Sequence, residues 1–124
     1  MGGVGNGILG DTHPLDKYYA YGIRNSFGMD FDPITGKLWD TENGPLYGDE
    51  INIVEPGFNS GWSKVQGIWQ PTKNLTSGAL VLNSNNLIDF VRKGMDSLPE
   101  FIWKQPVGPT AIKFFNSDKV GKGV

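Results

Sequence analysis

Turn-forming residues recur about every ten positions between Tyr21 and Trp62, and this spacing leaves room only for short strands. The segment reads YGIRNSFGMDFDPITGKLWDTENGPLYGDEINIVEPGFNSGW. Within it, Phe27, Met29 and Phe31 alternate with small or acidic residues. Because successive side chains of a strand point to opposite faces, this alternation predicts a half-buried strand with one apolar and one polar face.

Further strands are predicted on both sides of this one. DPITG is a turn signal, since Pro33 pre-sets φ and Gly36 can take a positive φ, and it should join the first strand to KLWDTE as a β-hairpin. INIV follows the loop NGPLYGDE as another strand, and EPGFNSGW is a second turn region. KYYAYGI, at Lys17–Ile23, has strand chemistry because aromatic and branched residues dominate it. Together these strands predict an antiparallel meander.

Composition supports a β-rich chain and excludes several classes of function. The 124 residues include 18 glycines and 8 prolines, which is typical of many short strands joined by turns. A formal net charge of -2 without a basic stripe argues against a nucleic-acid partner. The absence of cysteine excludes disulfides, a thiolate metal site and a cysteine nucleophile. No long apolar run is present, so no membrane span is predicted.

The pattern divides the chain into four regions. Residues 1–16 are glycine-rich and are expected to be a flexible N-terminal segment, whereas 17–69 hold the strands described above as a first blade region. Residues 70–98 are interpreted as an insertion with a short helix at 85–94, and 99–124 as the start of a next blade, since they weakly echo the first strands. Repeated meanders with long connections are typical of a β-propeller. The predicted fold class is therefore all-β, a partial propeller of four-stranded blades.

Six short motifs follow one another between positions 24 and 62. They are Arg24-Asn25 with Gly28, Asp32-Pro33 with Gly36, Leu38-Trp39, Glu42 to Pro45, Asp49-Glu50-Ile51-Asn52, and Gly57 through Trp62. In this combination they resemble the glucose/sorbosone dehydrogenase family, six-bladed propellers whose soluble members oxidise aldose sugars with pyrroloquinoline quinone and calcium. The resemblance implies a fragment of such a dehydrogenase, which oxidises sugars to lactones, and an extracellular or periplasmic location.

Two residues match the donors that the family aims at its cofactor. Arg24 and Asn25 match residues that point into the central pocket and donate hydrogen bonds to the quinone oxygens. Fixed donors at this place would stabilise the charge that develops when hydride reaches the cofactor. The residues taken alone also allow a surface arginine paired with a nearby aspartate, and an asparagine in a turn.

Trp103, in FIWKQPVGP, resembles an aromatic residue near the substrate and cofactor of the family. A flat apolar ring there could stack on a sugar or on the quinone. Its spacing to Pro106 and Pro109 departs by about one residue from the family pattern, so a tryptophan that only packs within the blade is the alternative. Three other tryptophans are interpreted as packing residues: Trp39, Trp62 and Trp69.

A calcium site is implied at the loop NGPLYGDE. Gly44 and Pro45 match positions whose main-chain carbonyl oxygens bind the cofactor-linked calcium, and Asp49 matches the carboxylate close behind them. Calcium prefers hard oxygen ligands and accepts backbone carbonyls, so this loop has suitable chemistry. The alternative is an ordinary turn that Asp49 caps through hydrogen bonds.

No residue of this chain is assigned as the catalytic base. His13 is the only histidine, but the resemblance places the base on an earlier blade, so His13 is interpreted as a solvated loop residue. The carboxylates of Asp30, Asp32, Asp40 and Glu42 alternate along predicted strands, where solvated charges are expected, and they are not interpreted as a glycosidase pair.

The resemblance implies an aldose sugar as the substrate, and an isolated chain is expected to be inactive because the base lies elsewhere. Since one blade and part of another leave sheet faces and edges uncovered, the isolated chain is also expected to self-associate. The rival interpretation is a non-enzymatic propeller segment that binds sugars or proteins, because a fold does not determine a function.

Overall fold

The described part of the chain forms one main sheet and two small ones. A computed structural model describes residues 8–71, 78–80, 95–96 and 98–115 of the 124. The described elements are a 3₁₀ helix at Leu15–Lys17 and the strands β1 (Ser26–Phe31), β2 (Leu38–Glu42), β3 (Asp49–Ile53), β4 (Phe58–Asn59), β5 (Trp69–Pro71), β6 (Gly78–Leu80), β7 (Met95–Asp96) and β8 (Phe101–Trp103).

The first three strands form the antiparallel meander that the sequence predicted. In the turn between β1 and β2, the carboxylate of Asp32 accepts hydrogen bonds from the backbone N–H of Ile34 at 2.8 Å and from the hydroxyl of Thr35 at 2.6 Å. Gly36 has a φ of 72°, a value that a residue with a side chain rarely adopts. The predicted hairpin and the part that its glycine plays are both confirmed.

The fourth strand of the main sheet comes from beyond the long connection that follows β3. β8 pairs antiparallel with β3 and places Ile102 opposite Glu50, which gives the sheet order β1-β2-β3-β8. Phe101–Trp103 is therefore in the same sheet as β1 to β3, whereas the sequence pattern assigned it to the start of a next blade. The region boundaries themselves stay a prediction.

The strand predicted at Lys17–Ile23 does not form, so that prediction was wrong. Lys17 ends the 3₁₀ helix, and Tyr21 makes only an isolated parallel bridge with Asn59. The backbone here bonds to the segment 57–62, which contains β4: the Tyr21 N–H donates to the Phe58 carbonyl at 2.9 Å, and the Ser60 N–H donates to the Tyr21 carbonyl at 3.1 Å. Aromatic residues favour extended backbone, but β4 is only two residues long, so Tyr21 makes a single bridge and no ladder.

Side chains alternate between two faces along β1 as predicted, but the apolar face is the one exposed to solvent. The opposite side is covered by residues 111–115. A Cβ added to Gly28 would lie 2.7 Å from the Cα of Ala111, and the Phe114 N–H donates to the Asp30 carboxylate at 2.8 Å. This close backbone approach explains why position 28 holds glycine. The exposed apolar side chains of β1 are Phe27 (59% exposed), Met29 (65%) and Phe31 (59%).

We expect the isolated chain to self-associate through this open face. Burial of this apolar face between two chains would stabilise the association by about 25 cal/mol per Å² of apolar area. β1 also lies at the edge of the described sheet, where another strand could pair with it. Light scattering at micromolar concentration should give a mass above 13.6 kDa. Met29→Lys should lower that mass, because it charges the face without touching the backbone pairing. A wild-type chain that stays a compact, stable monomer would contradict this prediction.

The remaining described strands form two small sheets. β4 pairs in parallel with β7, and β5 pairs antiparallel with β6. The predicted helix at 85–94 lies outside the described residues. Nowhere in the described ranges is there a helix long and apolar enough to cross a membrane. Buried polar side chains outnumber buried apolar ones in these ranges: the polar set is Asp40, Thr41, Glu42, Asp49, Glu50, Asn52, Asn59 and Gln66, and the apolar set is Leu9, Tyr47, Val54 and Phe58.

Candidate functional site

One end of the main sheet gathers four of the residues that the sequence singled out. This is the end at which β1 and β3 begin and β2 and β8 finish. Arg24 precedes β1, Gly44 follows β2, Asp49 opens β3 and Trp103 closes β8. Because antiparallel neighbours bring the start of one strand beside the end of the next, these residues lie along the same end of the sheet although they are far apart in the chain.

The Arg24 guanidinium is held against the loop after β2. Its Nη1 donates to the carbonyl of Asn43 at 2.9 Å and to that of Gly44 at 3.1 Å. Its central carbon lies 5.2 Å from the centroid of the Trp62 ring, within the range of a cation–π contact. The Nε atom is buried and has no hydrogen-bond partner in the described part of the chain. Within the described part of the chain, one N–H donor of Arg24 is therefore left without an acceptor.

Asn25 lies beside Arg24 and faces solvent. Its carbonyl accepts a hydrogen bond from the Asn43 N–H at 2.9 Å, so its main chain is tied to the same loop. The exposed side chain leaves the amide available to a ligand.

Asp49 is a buried carboxylate that ties two loops together. It is 1% exposed. Its Oδ1 accepts the Gly44 N–H at 2.9 Å, and its Oδ2 accepts the N–H groups of Val107 at 2.7 Å and Gly108 at 2.8 Å. Three backbone donors therefore converge on one side chain. Asp49 caps its own turn through the Gly44 N–H, as in the alternative given from the sequence. It also binds a second loop, at 107–108, which is distant in the chain.

The loop at 43–45 presents carbonyl oxygens rather than a carboxylate cage. The carbonyls of Asn43 and Gly44 converge on one cationic nitrogen of Arg24, so this loop presents oxygen atoms to a positive charge. No group of three or more His, Cys, Asp or Glu side chains suited to a metal occurs among the residues that the structure describes. Backbone carbonyls are ligands that calcium accepts, so the chemistry of the loop is compatible with part of a calcium site.

Trp103 is half-buried at this end of the sheet. It pairs with Asp49 across the strands, and its carbonyl accepts the Gly48 N–H at 3.0 Å. Its ring centroid lies 4.7 Å from that of Phe101, in an edge-on arrangement. Packing within the strand thus accounts for one contact of the ring.

His13 lies in the N-terminal loop with its side chain 73% exposed, and its Nδ1 is 3.9 Å from the Asp16 carboxylate. This exposure agrees with its interpretation as a solvated loop residue.

Two carboxylates that were expected to be solvated are buried, so that expectation was wrong. Asp40 is 1% exposed and Glu42 is 0% exposed. They share one face of the sheet with Glu50 and Asn52, since Asp40 is opposite Asn52 and Glu42 is opposite Glu50. The loop after β4 covers this face and supplies hydrogen-bond donors to it. Because side chains alternate along a strand, Asp40 shares a face with Glu42, and Glu50 shares a face with Asn52. This alternation does not reveal that a loop covers the face.

Glu50 has the most perturbed acidity of this cluster. Burial raises the pKa of Glu50 to about 8, and the neighbouring Glu42 carboxylate acts in the same direction. Hydrogen bonds from the Gln66 side chain, at 2.7 Å, and from the Gly67 N–H partly oppose the shift. Burial also raises the pKa of Asp40 and of Glu42. The Glu50 carboxyl is therefore mainly protonated at neutral pH.

We expect the free energy of unfolding to fall as the pH rises from 4.5 to about 8. The folded chain keeps the Glu50 proton in this interval, whereas the unfolded chain releases it above the ordinary glutamate pKa of 4.5. The contribution of Glu50 to the free energy of unfolding is thus complete below pH 4.5 and is lost as the pH rises through about 8. Between these values, Glu50 lowers the free energy of unfolding by at most about 1.4 kcal/mol per pH unit. Urea unfolding across the interval measures it. Glu50→Gln should flatten the profile, and a wild-type profile that rises with pH would contradict the prediction.

Comparison with known proteins connects this site to one family. The sequence model of the Glucose / Sorbosone dehydrogenase family matches residues 2–122. The aldose sugar dehydrogenase YliI of Escherichia coli K12 is 34% identical over 120 residues, which cover 92% of this chain and 28% of the relative. Quinoprotein glucose dehydrogenase B of Acinetobacter calcoaceticus is 47% identical over 53 residues, which cover 43% of this chain and 11% of the relative.

A solved structure extends the likeness to the fold. The crystal structure of the soluble aldose sugar dehydrogenase of Escherichia coli in the apo-form matches with a TM-score of 0.57 and 30% identity, over 85% of this chain and 28% of that chain. This likeness and the strand-rich sheet confirm the predicted all-β propeller-blade fold class. The chain spans only about a quarter of the length of the curated relatives that it matches over most of its own length. Given the family match over nearly all its residues, the chain belongs to the glucose/sorbosone dehydrogenase family.

Proposed function

We propose that this chain forms part of a dehydrogenase that oxidises an aldose sugar to its lactone with pyrroloquinoline quinone and calcium. One observation carries the proposal: the buried Nε–H of Arg24 has no acceptor among the described residues, at the end of the sheet where the family motifs converge. An unpaired buried donor is costly, so an external acceptor such as a quinone oxygen would satisfy it. The relative named as a quinoprotein supports the choice of cofactor.

The quinone, when bound, supplies the two-electron acceptor for the hydrogen on C1 of the sugar. Arg24 then acts as a fixed donor, because its guanidinium stays protonated at every working pH and offers several N–H groups in one plane. The Trp62 ring holds that guanidinium from one side, and the carbonyls at 43 and 44 hold it from another. Asn25, with its exposed amide, is proposed as a second and neutral donor. Trp103 is proposed to present its ring beside the cofactor or sugar.

Calcium is proposed to bind the main-chain carbonyls of Gly44 and Pro45. Asp49 supports this loop from behind through the Gly44 N–H, and its two oxygens already accept three backbone donors. We therefore propose that Asp49 shapes the metal site and does not bind the ion directly. The Gly44 carbonyl also accepts Arg24 Nη1, so the cation and the guanidinium share an acceptor.

The base that removes the sugar hydroxyl proton is proposed to come from another blade, since the His13 side chain is exposed in the N-terminal loop. The family membership further supports an extracellular or periplasmic location as part of the proposal.

Dye-linked oxidation tests this function. An intact protein that contains this chain, supplied with pyrroloquinoline quinone and calcium, should reduce a redox dye when an aldose is added, and omitting either cofactor should abolish the rate. The isolated chain should show no rate above background under the same conditions. Sugar binding by the intact protein without any quinone-dependent rate would overturn the enzyme and favour a sugar-binding module.

A further inference from the structure

The Glu42 carboxylate joins the two chain segments that hold Arg24 and Trp62. It lies at the end of β2 and is 0% exposed. Its Oε1 accepts the backbone N–H of Arg24 at 2.6 Å, and its Oε2 accepts the hydroxyl of Ser60 at 2.6 Å. Each carboxylate oxygen is therefore committed to a different segment.

The same two segments meet again at the guanidinium. The Trp62 ring stacks on the Arg24 side chain, and the Trp62 N–H donates to the Gly22 carbonyl at 2.9 Å. Ser60 is two residues before Trp62, so a shift of the Ser60 hydroxyl would carry the ring with it. Glu42 thus lies behind both partners of the stack and contacts neither ring nor guanidinium through the bonds described.

We propose that Glu42 is a positioning residue for Arg24, one that fixes the guanidinium between the Trp62 ring and the carbonyls at 43 and 44 before any cofactor arrives. The inference rests on the proposed function, because it takes Arg24 as the quinone donor. A donor that is already in place loses little conformational freedom when the quinone binds. Fixing Arg24 in advance should therefore raise the affinity for the quinone.

A carboxylate suits this task better than an amide of the same shape. Glu42 offers two oxygen acceptors to two donors that approach from different segments. Glutamine would offer one oxygen, so its NH₂ group would face either the Arg24 N–H, where two donors would oppose each other, or the Ser60 hydroxyl, which would have to turn and accept. Glu42→Gln therefore weakens the link between the two segments by removing the charge-assisted hydrogen bonds while it conserves the volume of the side chain. Ser60→Ala releases only the loop that carries Trp62.

Two measurements on the intact protein test the proposal. The first is ¹⁵N relaxation of the Arg24 Nε–H without cofactor, which reports how well the guanidinium is fixed. The second is titration with pyrroloquinoline quinone and calcium in the absence of sugar, followed by tryptophan fluorescence. Glu42→Gln and Ser60→Ala should each lower the Arg24 order, and they should weaken quinone affinity by about tenfold, the size expected for one lost hydrogen bond. Ser60→Ala keeps the test usable if Glu42→Gln does not fold.

A double-mutant cycle separates positioning from general damage to the core. In an Arg24→Ala background, Glu42→Gln should have no further effect on quinone affinity, because the group that it positions is gone. Asp40→Asn is the matched control: Asp40 is another buried carboxylate on the same face of β2, and it accepts from the Asn52 side chain at 3.2 Å instead of from Arg24. It should leave both the Arg24 order and the quinone affinity unchanged.

The outcomes distinguish the two claims. Wild-type Arg24 order in both Glu42→Gln and Ser60→Ala would overturn the positioning role, and so would an equal affinity loss with and without Arg24. If the wild-type protein binds no quinone, the proposed function fails, while the relaxation measurement still decides whether Glu42 positions Arg24.

Discussion

Arg24→Ala is expected to lower the turnover of the intact protein by roughly 100- to 1000-fold, the effect of removing about 3 kcal/mol of transition-state stabilisation. In the proposed function, the Nε–H of Arg24, which has no partner among the described residues, and its neighbours on the guanidinium act on charge that appears only as the sugar is oxidised. Steady-state kinetics with saturating quinone and calcium measure the loss. It should appear in kcat as well as in kcat/KM, as expected for an interaction that strengthens in the transition state.

The effect of Arg24→Ala on folding should be much smaller than its effect on turnover. The side chain loses a stack with Trp62 and two hydrogen bonds to loop carbonyls, which a water molecule can replace at this half-buried place. Lys37→Ala is a suitable control, since it removes a cation that pairs with Glu55 near the opposite end of the β1–β2 hairpin. Unchanged turnover in Arg24→Ala would remove this residue from the mechanism.

Asp49→Ala is expected to destabilise the protein by about 1–3 kcal/mol, against the roughly 5–15 kcal/mol that usually separates folded from unfolded states. The substitution leaves the N–H groups of Gly44, Val107 and Gly108 without their acceptor. The buried Gly44 N–H accounts for most of the cost, because Val107 and Gly108 are exposed and their N–H groups can bond to water. Urea unfolding of the intact protein measures the loss through the midpoint.

Two further variants test this interpretation of Asp49. Asp49→Asn should lose less stability than alanine, because its one oxygen can still accept some of the donors. Asp30→Ala removes a carboxylate that also receives a backbone N–H, from Phe114, but lies nearer the surface, so its loss should be much smaller. An Asp49→Ala protein as stable as wild type would show that the two loops hold together without the carboxylate.

The order of residues within a few positions of one another was sufficient to predict the β1–β2 hairpin, whose strands and turn are close in the chain. The turn residues of DPITG and the alternation along β1 determine the hairpin, since both depend on neighbours a few positions away. The structure places Arg24, Gly44, Asp49 and Trp103, which the motifs singled out, at one end of the sheet, where strands begin or end, and their roles stay predictions.

The features that the sequence did not predict depend on distant segments. Which face of β1 is covered is decided by 111–115, which lie against Gly28 and Asp30. The burial of Glu42 and Glu50 depends on donors that Ser60, Gln66 and Gly67 bring from a loop. A carboxylate in a short strand is expected to be solvated unless such donors arrive, and their arrival is a property of the folded chain.

The position of β8 in the main sheet has a consequence for the order in which the chain can fold. β1, β2 and β3 contact their sequence neighbours, so they can pair as soon as they are synthesised, whereas β8 must close the whole connection from 54 to 100 before it reaches β3. Closing a longer loop costs more entropy, and non-local pairing slows folding. The strand that completes the site with Trp103 is thus the one expected to dock last. Until β8 docks, a nascent chain would carry Arg24 and the loop at 43–45 in a three-stranded sheet.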